Sequence, residues 1–176
     1  MTLEERIAGT AATNPDCEYA EILVPPGAGT AGTIRAALES MLLCKSTPIE
    51  KAADAAAQWY ELNPPDIPER DQVVILITDG RETCEGTAEC PITTMHSRGI
   101  VTYVIGFGDE VNVDQLNAMA CAGGTASDAA PCDTSDPACT GVSSGAPTLF
   151  FLAEDETALD AALEEIAASI ECGGPI

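Results

Sequence analysis

Aromatic and basic residues are scarce in this 176-residue chain. Phe, Trp and Tyr make up 4% of it, 7 Lys and Arg stand against 29 Asp and Glu, and His96 is the one histidine. The net charge of −22 argues against nucleic acid and anionic membranes as partners, because both would repel the chain. No window approaches about 18 unbroken apolar residues, so the sequence predicts no membrane-spanning helix.

Motifs typical of several enzyme classes are also missing. His96 has no nearby Ser, Cys or Asp in a triad-like pattern, so nucleophilic catalysis has no support. Gly27, Gly29 and Gly32 do not follow the dinucleotide-binding spacing, and there is no P-loop. We therefore expect a protein that is not an enzyme. A metal-assisted hydrolase using the acidic side chains is kept as a third hypothesis.

The cysteine content indicates disulfides formed in an oxidising compartment, since the count of 8 is even and high for this length. The cysteine spacings are not the short pairs of structural zinc sites. We predict two local bridges, Cys84–Cys90 and Cys132–Cys139, and assign no partners to the other four cysteines. A reduced cytosolic protein with buried thiols is the alternative. Residues 1–6 lack the apolar run of a secretory signal, so we expect a signal upstream of Met1 and an extracellular or cell-envelope location.

Strand and helix patterns alternate along the chain. Helices are predicted over residues 30–43, 47–62, 87–98 and 113–122 and from Asp155 onward, and strands over 19–24, 73–77, 100–107 and 148–152. This order predicts an α/β fold: a doubly wound, mostly parallel sheet with helices on both faces. We expect a single domain spanning residues 1–176. The uninterrupted apolar run at 73–77 indicates a central strand covered on both faces.

Residues 125–147 interrupt this alternation, and we interpret them as an inserted disulfide loop. Asp128, Asp133 and Asp136 suggest calcium binding, but the EF-hand spacing is absent, and an acidic solvated loop explains the same residues.

Two polar residues follow or precede predicted elements at positions where open α/β sheets bind ligands. Asp79 follows the apolar strand, where it serves either a site or an Asp-Gly turn. Thr47 opens a helix, where it either caps the helix in a capping box with Glu50 or contributes a ligand. Arg81 is a candidate to neutralise Asp79, and Glu82 is a candidate for an additional oxygen.

The order of several segments resembles the von Willebrand factor type A (vWA) domain family over roughly residues 20–171. The segments are Ser46-Thr47-Pro48 before an Ala-rich helix, the strand ending in Thr78-Asp79-Gly80, the strand within 99–108, the helix at 116–120 with Gly123-Gly124, and Phe150-Phe151-Leu152-Ala153 before the last helix. The resemblance implies a metal-ion-dependent adhesion site, with Thr47 and Asp79 as ligands of Mg²⁺, or of Mn²⁺ or Ca²⁺. A carboxylate of a protein partner would complete the coordination of that ion.

The chain departs from the family pattern at its start. The Asp-x-Ser-x-Ser segment that supplies further ligands is absent from all 176 residues, and so is the apolar first strand. The resemblance therefore implies an N-terminally truncated fold and an incomplete or degenerate metal site that binds its ion weakly. We expect a protein-binding or adhesion module. The alternative is a structural fragment of a larger secreted or surface protein that needs a missing strand. Either Ile7–Thr13, an upstream segment or another chain fills the gap, or the fold is strained and weakly stable. Self-association through the open sheet position is one expected outcome.

Overall fold

A parallel three-stranded sheet with helices packed against it forms the centre of the protein, as seen in a computed structural model that describes residues 17, 20–41, 46–65, 71–109 and 111–171. The elements are α1 (Ala31–Ser40), α2 (Ile49–Leu62), β1 (Val73–Thr78), α3 (Glu89–His96), β2 (Val101–Phe107), α4 (Val113–Gly123), β3 (Cys132–Asp133), β4 (Gly141–Val142), β5 (Phe151–Ala153) and α5 (Glu156–Glu171).

The sheet has the strand order β1–β2–β5, and its pairs run parallel, with Val73 beside Val101 and Ile105 beside Phe151. Each face carries its own apolar cluster. One contains Ile92 and Leu116 of α3 and α4, and the other contains Ile166 of α5 packed against β2. Helices on both faces of a parallel sheet confirm the predicted fold class.

The predicted position of strand β1 within the sheet is wrong. The prediction of a central strand fails, because β1 pairs only with β2 among the described residues and lies at the edge of the sheet. Ile75 and Ile77 are 39% and 49% exposed. An uninterrupted apolar run indicates that a strand needs to be covered on both faces. It does not show that the described residues supply that cover.

The first predicted strand is also wrong where it can be examined. Residues 20–24 form no strand, and Leu23 is exposed, while Tyr19 lies outside the described residues. Helix α1 follows, with none of its residues buried, and its Ile34 and Leu38 side chains are exposed. No helix among the described residues is long and apolar enough to cross a membrane.

Among the described residues, each disulfide joins two different segments of the fold, so both predicted local bridges are wrong. The bonds are Cys17–Cys84, Cys90–Cys139 and Cys121–Cys132. The two bridges from the 125–147 segment therefore attach it to α3 and α4 and do not close it upon itself. Segment 125–147 also contains the antiparallel β3–β4 pair. Packing of this segment over the two helices brings its cysteines closer to them than to each other.

Local signals at the later helices are confirmed. Asp155 accepts a hydrogen bond from the backbone N–H of Ala158 at 2.8 Å, as expected of an N-cap residue. Helix α4 ends at Gly124 in the left-handed conformation, with φ of 72°. Gly123 allows close packing, since a Cβ there would overlap the carbonyl oxygen of Thr102.

Candidate binding site at the carboxyl end of β1

The segment before α2 is joined directly to the loop after β1. The Thr47 N–H donates to Thr83 Oγ1 at 2.7 Å, and the Thr83 N–H donates to the Thr47 carbonyl at 3.2 Å. Thr47 Oγ1 lies 3.9 Å from where a Cβ on Gly80 would be. Because Gly80 follows Asp79, the two segments that carry the candidate ligands meet at one end of the sheet.

A capping box formed by Thr47 and Glu50 is not observed. The N-cap position of α2 is Pro48, and no side chain of that position caps the helix. The Glu82 carboxylate does so from another segment: Oε2 accepts the Glu50 N–H at 2.7 Å. The capping box fails because α2 begins two residues after Thr47, whose backbone is engaged by Thr83.

Glu82 is the principal residue whose role the sequence interpretation missed. It is only 9% exposed, and its Oε1 accepts the Cys84 N–H at 2.7 Å while its own N–H donates to Gln115 Oε1 at 2.9 Å. Both carboxylate oxygens thus already accept backbone N–H groups, so Glu82 is a structural tie between the loop and α2. Arg81 is exposed and forms no ion pair with Asp79 in the described part of the chain.

Three glutamates converge behind this loop. Burial raises the pKa of Glu89 above its ordinary value of 4.5, its own backbone hydrogen bond opposes this, and the charges of Glu82 and Glu50 raise the pKa further. Gly86 is packed closely here, since a Cβ on it would overlap the Glu50 side chain. The local field is therefore negative, which favours cations and basic groups near this end of the sheet.

The residues present fit a hydrated ion more readily than a fully protein-ligated one. Within the described ranges, no group of three or more His, Cys, Asp or Glu side chains could hold a metal. Thr47 and the exposed Asp79 offer one hydroxyl and one carboxylate. Mg²⁺ tolerates such a ligand set, because it retains several waters and accepts oxygen ligands.

The aromatic residues of α2 and the aspartates of the 125–147 segment have structural roles. Tyr60 donates its hydroxyl to the Val73 carbonyl at 2.9 Å, and Trp59 packs against Tyr60 edge to face. In the acidic loop, Asp128, Asp133 and Asp136 each accept the backbone N–H two residues ahead. These are turn-forming contacts within the loop.

The fold is an α/β domain in which the Thr47 and Asp79 segments meet at the carboxyl end of a parallel sheet, the end at which open α/β sheets bind their ligands. The sequence profile of the von Willebrand factor type A domain matches residues 25–134, well over half of the chain. The chain therefore belongs to the vWA domain family. Domains of this family are generally non-enzymatic interaction modules.

No curated protein matches this sequence. Among solved structures, the chain is similar to an uncharacterized membrane spanning protein from Vibrio fischeri, with 16% sequence identity and a TM-score of 0.39. The alignment covers 78% of this chain and 65% of that chain, so this chain corresponds to slightly less than two thirds of that structure's length.

Proposed function

We propose that this vWA domain is a protein-binding or adhesion module, and that it contacts its partner through the loops containing Thr47 and Asp79. The observation that supports this is the pair of hydrogen bonds between Thr47 and Thr83, which holds the loop after β1 against the start of α2. Two loops fixed to each other form a preorganised surface, and preorganisation lowers the entropic cost of binding.

We further propose that the Thr47 hydroxyl and the Asp79 carboxylate hold a divalent ion, Mg²⁺ or alternatively Mn²⁺ or Ca²⁺. Two protein oxygens leave most coordination positions to water, so the ion binds weakly to the free domain. An acidic side chain of the partner replaces one water and tightens the site. The ion supplies positive charge at an end of the sheet that is otherwise acidic, which allows a carboxylate to approach.

Titration calorimetry with each of the three cations tests the ion site. We expect weak heats in the millimolar range that disappear in Asp79→Ala. Asp109→Asn is the matched control, because Asp109 is also exposed just after a strand end of the same sheet, and it should leave the heats unchanged. Absence of heat from the unaltered protein at millimolar ion, or equal loss in both variants, contradicts the ion proposal.

A second candidate function rests on the outer edge of β1, which has no strand beside it among the described residues. The domain would be a structural part of a larger secreted or surface protein and would receive a strand at this edge. The exposed Ile75 and Ile77 support it, because unpaired apolar edges are normally covered. If this candidate is correct, the β1 amides that face away from β2 exchange rapidly with deuterium in the isolated chain. Slow exchange of these amides in a monomer, established by sedimentation, would exclude it.

The three disulfides within the described part of the chain indicate an oxidising compartment. We propose on this basis that the protein acts outside the cell or in the cell envelope. Mass spectrometry of thiols alkylated in intact cells tests this, and free thiols at Cys90 and Cys139 would contradict it.

A further inference from the structure

Arg81 lies in the loop after β1, beside the two proposed ion ligands. It follows Asp79 by two residues, so their Cα atoms are at most about 7 Å apart. Gly80 between them faces Thr47, whose Oγ1 lies 3.9 Å from where a Cβ on Gly80 would be. On the other side, both the backbone N–H and the carboxylate of Glu82 form hydrogen bonds. The backbone on both sides of Arg81 is therefore held in place next to the site.

The Arg81 guanidinium has no acidic partner within the described residues. The side chain is exposed and takes part in no ion pair there. Its neighbour Glu82 cannot serve, because both of its carboxylate oxygens already accept backbone N–H groups. Lys51 and Arg98, by contrast, each contact a glutamate, at 4.0 Å and 3.2 Å. The donors of Arg81 are therefore available to a group that arrives from outside the chain.

A guanidinium recognises a carboxylate more specifically than an ammonium group does. Its planar set of N–H donors can form two parallel hydrogen bonds with the two carboxylate oxygens. Arginine is for this reason frequent among the residues that contribute most to binding at protein interfaces. A fully exposed ion pair contributes little, but a pair that a docked partner covers is less screened by water.

The charge of the chain determines how an acidic partner can bind here. The net charge of −22 repels acidic groups at a distance, but salt screens this repulsion beyond about 8 Å at physiological ionic strength. Charges close to the site then decide the interaction. A divalent ion held by one aspartate retains a single positive charge, which one carboxylate neutralises. A second carboxylate needs another cation, and Arg81 is the only basic residue within residues 79–88.

We propose that Arg81 determines which partners bind at this site, because the partner presents two carboxylates from one acidic segment. One carboxylate binds the ion at Thr47 and Asp79, and the other binds the Arg81 guanidinium. This inference rests on the proposed ion site and specifies its partner as a protein segment with a pair of acidic side chains. In an extended segment, acidic residues two positions apart lie on one face about 7 Å from each other, which suits the spacing of Asp79 and Arg81.

Amide NMR titration in millimolar Mg²⁺ with two peptides that have blocked termini tests this proposal. The two-carboxylate peptide is Gly-Gly-Asp-Gly-Glu-Gly-Gly, and the one-carboxylate peptide has Gln in place of Glu. We expect the two-carboxylate peptide to bind at least about threefold tighter, as an ion pair covered by a partner would produce. Equal binding of the two peptides, or no binding of either, overturns the proposal.

Three variants assign the preference to Arg81. Arg81→Gln should abolish it, whereas Arg35→Gln, which removes the same charge from an exposed position on α1, should leave it intact. Arg81→Lys keeps the charge without the paired donors and should retain part of the preference. Binding of the one-carboxylate peptide should change by less than about twofold in all three, because the loop itself is undisturbed. A preference that survives in Arg81→Gln or disappears in Arg35→Gln, or a larger loss of one-carboxylate binding in Arg81→Gln, overturns the proposal.

Titrations in EDTA separate this inference from the ion proposal on which it rests. If EDTA leaves the binding of both peptides unchanged, the ion proposal and this inference fail together. If binding of the one-carboxylate peptide requires Mg²⁺ but the added glutamate gives no gain, the ion proposal stands and this inference alone fails. Tighter binding of a galacturonate oligomer than of the two-carboxylate peptide would indicate an acidic polysaccharide as the partner and would also overturn this inference.

Discussion

Removal of the Glu82 carboxylate should destabilise the protein far more than removal of an exposed acidic side chain. In Glu82→Ala, the Glu50 N–H loses its cap, which is worth about 0.5–2 kcal/mol. The partly buried Cys84 N–H also loses a charged acceptor, and a buried donor left unsatisfied is unfavourable by at most about 1–3 kcal/mol. Together these losses amount to roughly 1.5–5 kcal/mol, a large fraction of the roughly 5–15 kcal/mol by which proteins of ordinary stability resist unfolding.

Urea unfolding followed by circular dichroism, with the disulfides intact, measures this loss. Glu164→Ala on the exposed face of α5 is the control for removal of one negative charge, and it should change the free energy of unfolding by no more than about 0.5 kcal/mol. Glu82→Gln keeps one acceptor oxygen, so its free energy of unfolding should lie between those of Glu82→Ala and Glu164→Ala. If Glu82→Ala is as stable as Glu164→Ala, the hydrogen bonds of the Glu82 carboxylate to Glu50 and Cys84 do not stabilise the fold as we describe.

Three further predictions concern pH, the disulfides and close packing. Burial raises the pKa of Glu89, so the stability contributed by its neutral form is fully present below pH 4.5 and is lost as the pH rises through the raised pKa. Glu89→Gln should therefore raise the melting temperature at pH 7. A gain that is equally large at pH 4 would contradict this. Replacing Cys90 and Cys139 by Ser opens a bridge with a sequence separation of 49, and should lower the free energy of unfolding by about 4 kcal/mol, measured in urea. Gly123→Ala forces a Cβ against the β2 backbone and should lower stability by about 1–3 kcal/mol, whereas Gly141→Ala, with nothing within 4 Å, should not.

The sequence predicted the elements whose signals are local. The three- and four-residue spacing in α4, the cap at Asp155 and the apolar run of β2 each depend on residues within one segment, and the structure confirms all three. The parallel sheet followed from the alternation of strands and helices. What these signals share is that neighbouring residues decide them.

The sequence failed where residues distant along the chain decide the structure. Glu82 caps α2 from 32 residues away, and a local capping box at Thr47 competed with it as an interpretation. The cysteine pairings could not be deduced, because eight cysteines allow on the order of a hundred connectivities and the bridges follow tertiary packing. The edge position of β1 could not be predicted either, because its amino-acid composition is that of a strand covered on both faces and its neighbours are decided by tertiary packing.

The ligand assignment to Thr47 and Asp79 stays a prediction that depends on the family resemblance. The structure contributes the proximity of Thr47 to Gly80 and the hydrogen bonds between Thr47 and Thr83. Sequence spacing alone could not supply this, because the two segments are separated by the whole of α2 and β1. The absence of an Asp-x-Ser-x-Ser segment was visible from the sequence and explains why we expect weak ion binding.

Paramagnetic broadening by Mn²⁺ in amide NMR spectra tests the central claim most directly, because broadening falls off steeply with distance from the ion. We predict that low Mn²⁺ concentrations broaden the amides of residues 46–50 and 79–84 first, and that Asp79→Ala abolishes this effect while Asp109→Asn does not. Broadening centred instead on the acidic loop around Asp128, Asp133 and Asp136, or spread evenly over the acidic surface, would contradict the assignment of the site to Thr47 and Asp79.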